Sequence, residues 1–182
     1  VAKTEIPRVL LDSSALIAVI KNEPNAEHID GLLDMLAQGE VQLYESVIVM
    51  GEVYKPPDST SPAERDRHMA KLDQVRSLLQ SQQVVQLDVT APVVRKATEY
   101  RLQLAMKLPD ALHLATAVLN GCDWLVTFDR DFPEQVDGLK VVRLNYVDEP
   151  RDLPWQRPVE ATLFDHLGDD NVIPLATERE RP

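Results

Sequence analysis

Five short apolar runs alternate with segments of helical spacing, and that alternation restricts the chain to few folds. The runs cover residues 9–12 (Val-Leu-Leu-Asp), 41–44, 84–87, 124–127 and 141–144. Helical segments are expected over 15–20, 25–38, 63–81, 90–106 and 109–120, and another follows Ser46, which reads as its cap. Gly39 and Gly121 read as C-terminal stops, and Pro56-Pro57-Asp58-Ser59-Thr60 as a break. Strands that alternate with helices imply βαβ units and a mostly parallel sheet, an α/β fold.

Length and composition bound this further. A chain of 182 residues suits one such domain, expected over residues 1–145. No stretch approaches the roughly 20 apolar residues that span a membrane, and the first residues lack the pattern of a secretory signal. The single cysteine, Cys122, allows no internal disulfide and reads as core filling. A cytoplasmic location is therefore expected. The segment 146–182 differs in character, with five prolines and nine acids against four basic residues. It reads as an acidic extension, and Trp155, Leu163 and Phe164 suggest that part of it docks, either on the domain or on a partner. A net charge of −11 runs against the basic face usual in nucleic-acid binders, although bound divalent ions would offset part of it.

The acids carry the chemistry. In open α/β sheets, ligands bind beyond the carboxyl ends of the strands. Asp12 closes the first run, and Asp129 and Asp131 follow Thr127 at the end of the fourth. Pro109 favours a helix start, which places Asp110 in a first helical turn. Glu52 sits on a helix between apolar neighbours. Singly, most of these have bland roles: a helix-dipole acid for Asp110, a solvated face for Glu52, turn residues for Asp129 and Asp131. Asp12, an acid that ends a buried strand, is the hardest to dismiss. Four converging carboxylates would repel one another unless some protonate or a cation is present. Oxygen-only ligation suits Mg²⁺ or Mn²⁺, and a pair of such ions can activate water and stabilise a leaving oxygen in phosphodiester cleavage.

Four motifs carry a resemblance to the PIN-domain family, in particular its VapC-like toxins. They are Val-Leu-Leu-Asp12-Ser-Ser-Ala-Leu-Ile-Ala, Ser46-Val-Ile-Val-Met-Gly-Glu52-Val, Leu108-Pro-Asp110-Ala-Leu-His-Leu-Ala-Thr-Ala and Leu125-Val-Thr127-Phe-Asp129-Arg-Asp131-Phe132. Their order and spacing match over about residues 8–144. The resemblance implies a PIN-like three-layer α/β/α fold and a divalent-metal-dependent ribonuclease. It also implies that Asp12, Glu52, Asp110 and Asp129 bind the metal, with Asp131 as a further acid or a loop cap. Ser13 and Thr127 occupy the family's hydroxyl positions, where they would orient an acid or water. His113, one turn after Asp110, reads as a packing residue near enough to approach the site. An RNA substrate, a VapB-like antitoxin partner and a homodimer follow by the same analogy. Against that pattern, the extension after Asn145 and the acidic balance bear on the toxin role rather than on the fold.

Two other readings compete. A haloacid-dehalogenase-type phosphatase needs an Asp-x-Asp pair after the first strand, and Ser14 stands where the second Asp would be. A non-catalytic PIN-like binding module would use the same acids to receive an arginine from a partner.

Overall fold

The computed structural model describes residues 6–57, 60–146 and 153–155. Its order is β1 (Arg8–Leu11), α1 (Ser13–Lys21), a 3-10 turn (Ala26–Ile29), α2 (Asp30–Ala37), β2 (Gln42–Ser46), α3 (Ile48–Val53), α4 (Pro62–Leu79) and β3 (Val84–Leu87). There follow α5 (Ala91–Leu104), α6 (Leu108–Leu119), β4 (Trp124–Thr127), β5 (Gln135–Val136), β6 (Leu139–Arg143) and a second 3-10 turn (Leu144–Tyr146). The sheet runs β3-β2-β1-β4-β6-β5, parallel throughout except for β5.

The alternation of side chains along β1 divides the core in two. Val9 and Leu11 join Leu16, Leu32, Leu43 and Leu72 on the face covered by α1, α2 and α4. Leu10 joins Ala97, Leu114 and Leu125 on the face covered by α5 and α6. This is the three-layer α/β/α arrangement. No described helix is long and apolar enough to cross a membrane.

From β1 the chain builds outward in both directions, to β2 and β3 on one side and to β4 and β6 on the other. The strand order therefore reverses between β1 and β4, and the crevice beyond their carboxyl ends is where such sheets hold ligands.

Several local expectations are corrected. The predicted helix 25–38 is a 3-10 turn followed by α2, because Asn25 enters it in the left-handed region (φ 68°). Ser46 does not cap α3. It is still in the ladder opposite Leu87, and the α3 cap position is Val47, with no side-chain bond. The run predicted at 141–144 begins earlier, at Leu139, because it pairs with the two-residue β5 through a tight turn. Asp137 and Gly138 both have positive φ there, as the two central residues of a type I′ hairpin require. Tyr100 and Lys96 each reach the Asp137 carboxylate at 2.8 Å and fix that turn.

Trp155 docks on the domain itself. It is buried, its Nε1 donates to the His28 carbonyl at 2.8 Å, and its ring packs near Trp124 and close against Gly31. Leu163 and Phe164 lie outside the described residues. Cys122 is buried as expected, and burial pushes its thiol up to about 12.

Candidate active site

Asp12 is the pivot. The apolar run of β1 carries it to the sheet edge, where its backbone N–H still donates to Val126 of β4 at 2.9 Å. Its side chain then caps α1, accepting the Ser14 N–H at 3.3 Å. The same oxygen, Oδ2, accepts the hydroxyls of Ser14 (2.6 Å) and Thr127 (3.0 Å). Each hydroxyl in turn accepts a backbone N–H from the loop after β4, Phe128 to Ser14 and Asp129 to Thr127, both at 2.9 Å. One carboxylate oxygen thus stitches β1, α1 and β4 together. The other, Oδ1, is buried with no hydrogen-bond partner. A buried carboxylate oxygen without a hydrogen bond is costly even with an imidazole nitrogen 3.8 Å away, so it marks a place for a ligand.

His113 faces that oxygen. It is fully buried, and its Nε2 lies 3.8 Å from Asp12 Oδ1 and 2.7 Å from Glu52 Oε2. Burial pushes the Glu52 carboxyl up, but the bond and charge of His113, with help from Ser13 and Lys55, bring it below the ordinary range. Glu52 is therefore ionised and Nε2 is the donor. His113 is a member of the site and not merely a packing residue. The three-residue step from Asp110 along one helix put them on one face.

Asp110, half-buried in the first turn of α6, has its carboxyl pushed up to about 6. Burial is the main cause. The charges of Asp12, Asp129 and Glu52 add to it, and Lys107 opposes. Asp110 thus senses the other three motif acids. The four do not form the tight ring expected: among the described residues, no three Asp, Glu, His or Cys side chains stand in ligating geometry. Asp129 Oδ1 accepts the Asp131 N–H at 2.8 Å, so the loop cap is Asp129, and Asp131 itself is exposed. Ser13 and Ser14 divide the hydroxyl role. Ser13 serves Glu52, and Ser14, which the motif reading passed over, serves Asp12.

Sequence reasoning also missed Glu45. It lies fully buried near the end of β2, with Oε1 accepting the Leu11 N–H at 3.3 Å and Oε2 unpartnered. Burial pushes its carboxyl well above the ordinary value; the Leu11 bond opposes this and the charge of Asp12 adds to it. An acid two positions after Leu43 on a strand falls on the same, core-facing side, and that spacing was the available signal.

Ser14→Ala tests the stitch. It removes a donor to Asp12 and leaves the Phe128 N–H without its acceptor, so a loss of about 1–3 kcal/mol is expected in urea unfolding. An unchanged midpoint would mean that the hydroxyl is dispensable.

The PIN domain family matches residues 9–137, most of the chain. The chain belongs to that family. Its fold is similar to that of FitAcB from Neisseria gonorrhoeae, with a TM-score of 0.53 and 17% identity over 76% of this chain and 99% of the other. VapBC-5, of the VapBC family of toxin–antitoxin systems from Mycobacterium tuberculosis, is similar with a TM-score of 0.50 and 18% identity, over 75% and 98%. A toxin–antitoxin complex from Klebsiella pneumoniae gives 0.49 and 22%, over 72% and 94%. No curated protein sequence matches.

Proposed function

We propose that the chain is an endoribonuclease that hydrolyses RNA phosphodiesters with Mg²⁺ or Mn²⁺. The observation that carries this reading is the buried Oδ1 of Asp12, which has no hydrogen-bond partner, in a crevice where Asp110 is pushed up to about 6. The donors present suit a hard cation: carboxylates and hydroxyls at the switch point of the sheet. Asp12, Asp110, Asp129 and Glu52 would hold it, with Asp131 as an outer acid. When bound, the ion supplies activation of water and neutralises charge on the phosphate.

The residues themselves have separable tasks. Ser14 and Thr127 fix Asp12 through Oδ2 and so aim Oδ1 into the crevice. His113 and Ser13 hold Glu52 and keep it ionised. Asp110, pushed up by its burial and its acidic neighbours, would be drawn back down by positive charge placed among them. Membership of the PIN family supports nuclease chemistry, and the likeness to proteins of toxin–antitoxin systems supports a toxin role with a cognate protein partner.

The test is incubation of the full chain with end-labelled structured and single-stranded RNAs. Cleavage is expected with Mn²⁺ or Mg²⁺, none with excess EDTA, and recovery when the ion is restored. A metal-loaded protein that leaves every RNA intact overturns the reading. The rival, a binding module that receives a partner's arginine, draws support from the absence of a ready ligating triad among the described residues. It predicts no Mn²⁺ heat in calorimetry and saturable binding of an arginine-containing peptide, abolished by Asp12→Asn.

A further inference from the structure

The two approaches to the acids carry opposite charge. On one side, a shallow cleft of about 520 Å³ is lined by Glu23, Asp129 and Asp131, with Arg130 as its one basic residue. On the other, a groove of about 700 Å³ lies between α1 and α4. Its lining carries Lys21, Arg67 and Lys71 against a single acid, Glu64, above an apolar floor that includes Ile20 and Pro57. His68 and Ile20 also line the next, smaller cavity, which reaches Lys55 and Glu52. The groove therefore leads to the candidate metal site. His68 sits where the two meet, its Nε2 3.4 Å from the Lys55 carbonyl.

α4 is built unevenly along this groove. Leu72, Val75 and Leu79 anchor its second half in the core. From Pro62 to Lys71 every residue except His68 is exposed. The groove-lining positions of α4 at 64, 67, 68, 71 and 74 are all polar, with Arg67 and Lys71 as the basic pair and Glu64 as the one acid. Arg67 and Lys71 stand one turn apart, a rise of about 6 Å, close to the step between successive phosphates of an extended strand.

We propose that the α1–α4 groove is the track for the RNA strand on one side of the scissile bond, with Arg67 and Lys71 on consecutive phosphates and Lys55 passing the strand to Glu52. The proposal rests on the ribonuclease reading above. A polyanion that must reach a cluster of carboxylates needs a local positive path, above all on a chain of net charge −11. The groove supplies one; the cleft carries the candidate ion ligands Asp129 and Asp131 themselves and, with Glu23 and a single arginine, offers no comparable basic pair.

The test measures binding of a short labelled single-stranded RNA by anisotropy over a salt series, in the full chain carrying Asp12→Asn to prevent cleavage. Arg67→Glu with Lys71→Glu is compared with an equal charge change elsewhere on the surface, Arg95→Glu with Lys140→Glu. The groove pair is expected to weaken binding about tenfold or more and to lower the slope of log K against log salt by about 1.4, two phosphate contacts at about 0.7 each for a single strand. The control pair should change affinity by less than about threefold. If charge reversal disturbs folding, Arg67→Gln with Lys71→Gln should show the same loss to a smaller degree. Equal losses in both pairs, or none in the groove pair, overturn the track. Wild type that cleaves RNA while the groove pair binds normally removes the track and leaves the nuclease reading standing. Wild type that neither binds nor cleaves RNA with Mn²⁺ removes both. A groove pair that keeps RNA but loses an acidic protein partner assigns the groove to that partner, and also overturns the proposal.

Discussion

Asp12→Asn is expected to reduce metal-dependent RNA cleavage by at least about 10²–10³-fold, the scale of losing one well-placed electrostatic group at a reacting centre, without unfolding the protein. Asparagine keeps an oxygen where Oδ2 accepts from Ser14 and Thr127, so the stitch between β1, α1 and β4 survives. What disappears is the charge on the buried Oδ1. The metal-free variant should therefore melt no lower than wild type, since a source of repulsion toward Asp110 and Glu45 has gone. Two further readouts separate this from loss of structure. Mn²⁺ affinity in calorimetry should fall. The Asp110 carboxyl, followed by NMR, should titrate below about 6, because the charge of Asp12 is its largest cause after burial. Full metal-dependent activity in the variant would remove Asp12 from the site and take the ribonuclease mechanism with it.

The backbone of the site was legible because it follows from chain-local rules. An apolar run that ends in an acid and meets a helical pattern places that acid at a strand end just before a helix, and Asp12 is there, with the cap of α1 as its added role. The same logic put Thr127 at the end of β4, Asp129 just past it and Asp110 in the first turn of α6. Roles that depend on packing between elements were not legible in this way. Whether Ser13 or Ser14 reaches Asp12 turns on how α1 leaves the sheet; the bond to the second residue after a cap is the local geometry that favours Ser14. His113 lies on a helix buried nearly all round, from Ala111 to Ala117, so apolar periodicity could not tell a core position from a site position. The two-residue β5 is too short to show a period. The Asp137-Gly138 pair was the signal for it.

The groove illustrates the same limit from the side of charge. Total charge argues against a nucleic-acid partner, yet it sums over surfaces that no ligand meets at once. The fold places basic residues of α1, α4 and the segment after α3 along one path. These are separated in sequence by residues 22–54 and by a break, so no run of Lys and Arg announces them.

Glu45→Gln is expected to change how stability depends on pH more than any other single substitution of a described acid. Glu45 is fully buried, and burial is the main reason why its carboxyl lies well above 4.5. In the folded protein it keeps a proton over a range where the unfolded chain has lost one. Folding there takes up a proton. Stability is then fully present below about 4.5 and is lost as pH rises toward the folded-state value, with a limiting slope of about 1.4 kcal/mol per pH unit for one group. Asp110 acts in the same direction between 3.8 and about 6, but only half-buried, so solvent screens much of its share. Glutamine retains an oxygen for the Leu11 N–H and cannot ionise. Wild type and Glu45→Gln should match near pH 4.5 in denaturant titrations. The variant should then gain on wild type as pH rises, by up to that limiting slope, until the wild-type carboxyl finally ionises. The position of Glu45 next to the residue that precedes Asp12 gives the effect a functional side. While Glu45 holds its proton, the crevice is spared a further buried negative charge beside Asp12. Parallel curves for the two proteins from pH 4.5 to 8 would mean that Glu45 ionises normally inside the fold, and the crevice would then have to bear that charge as well.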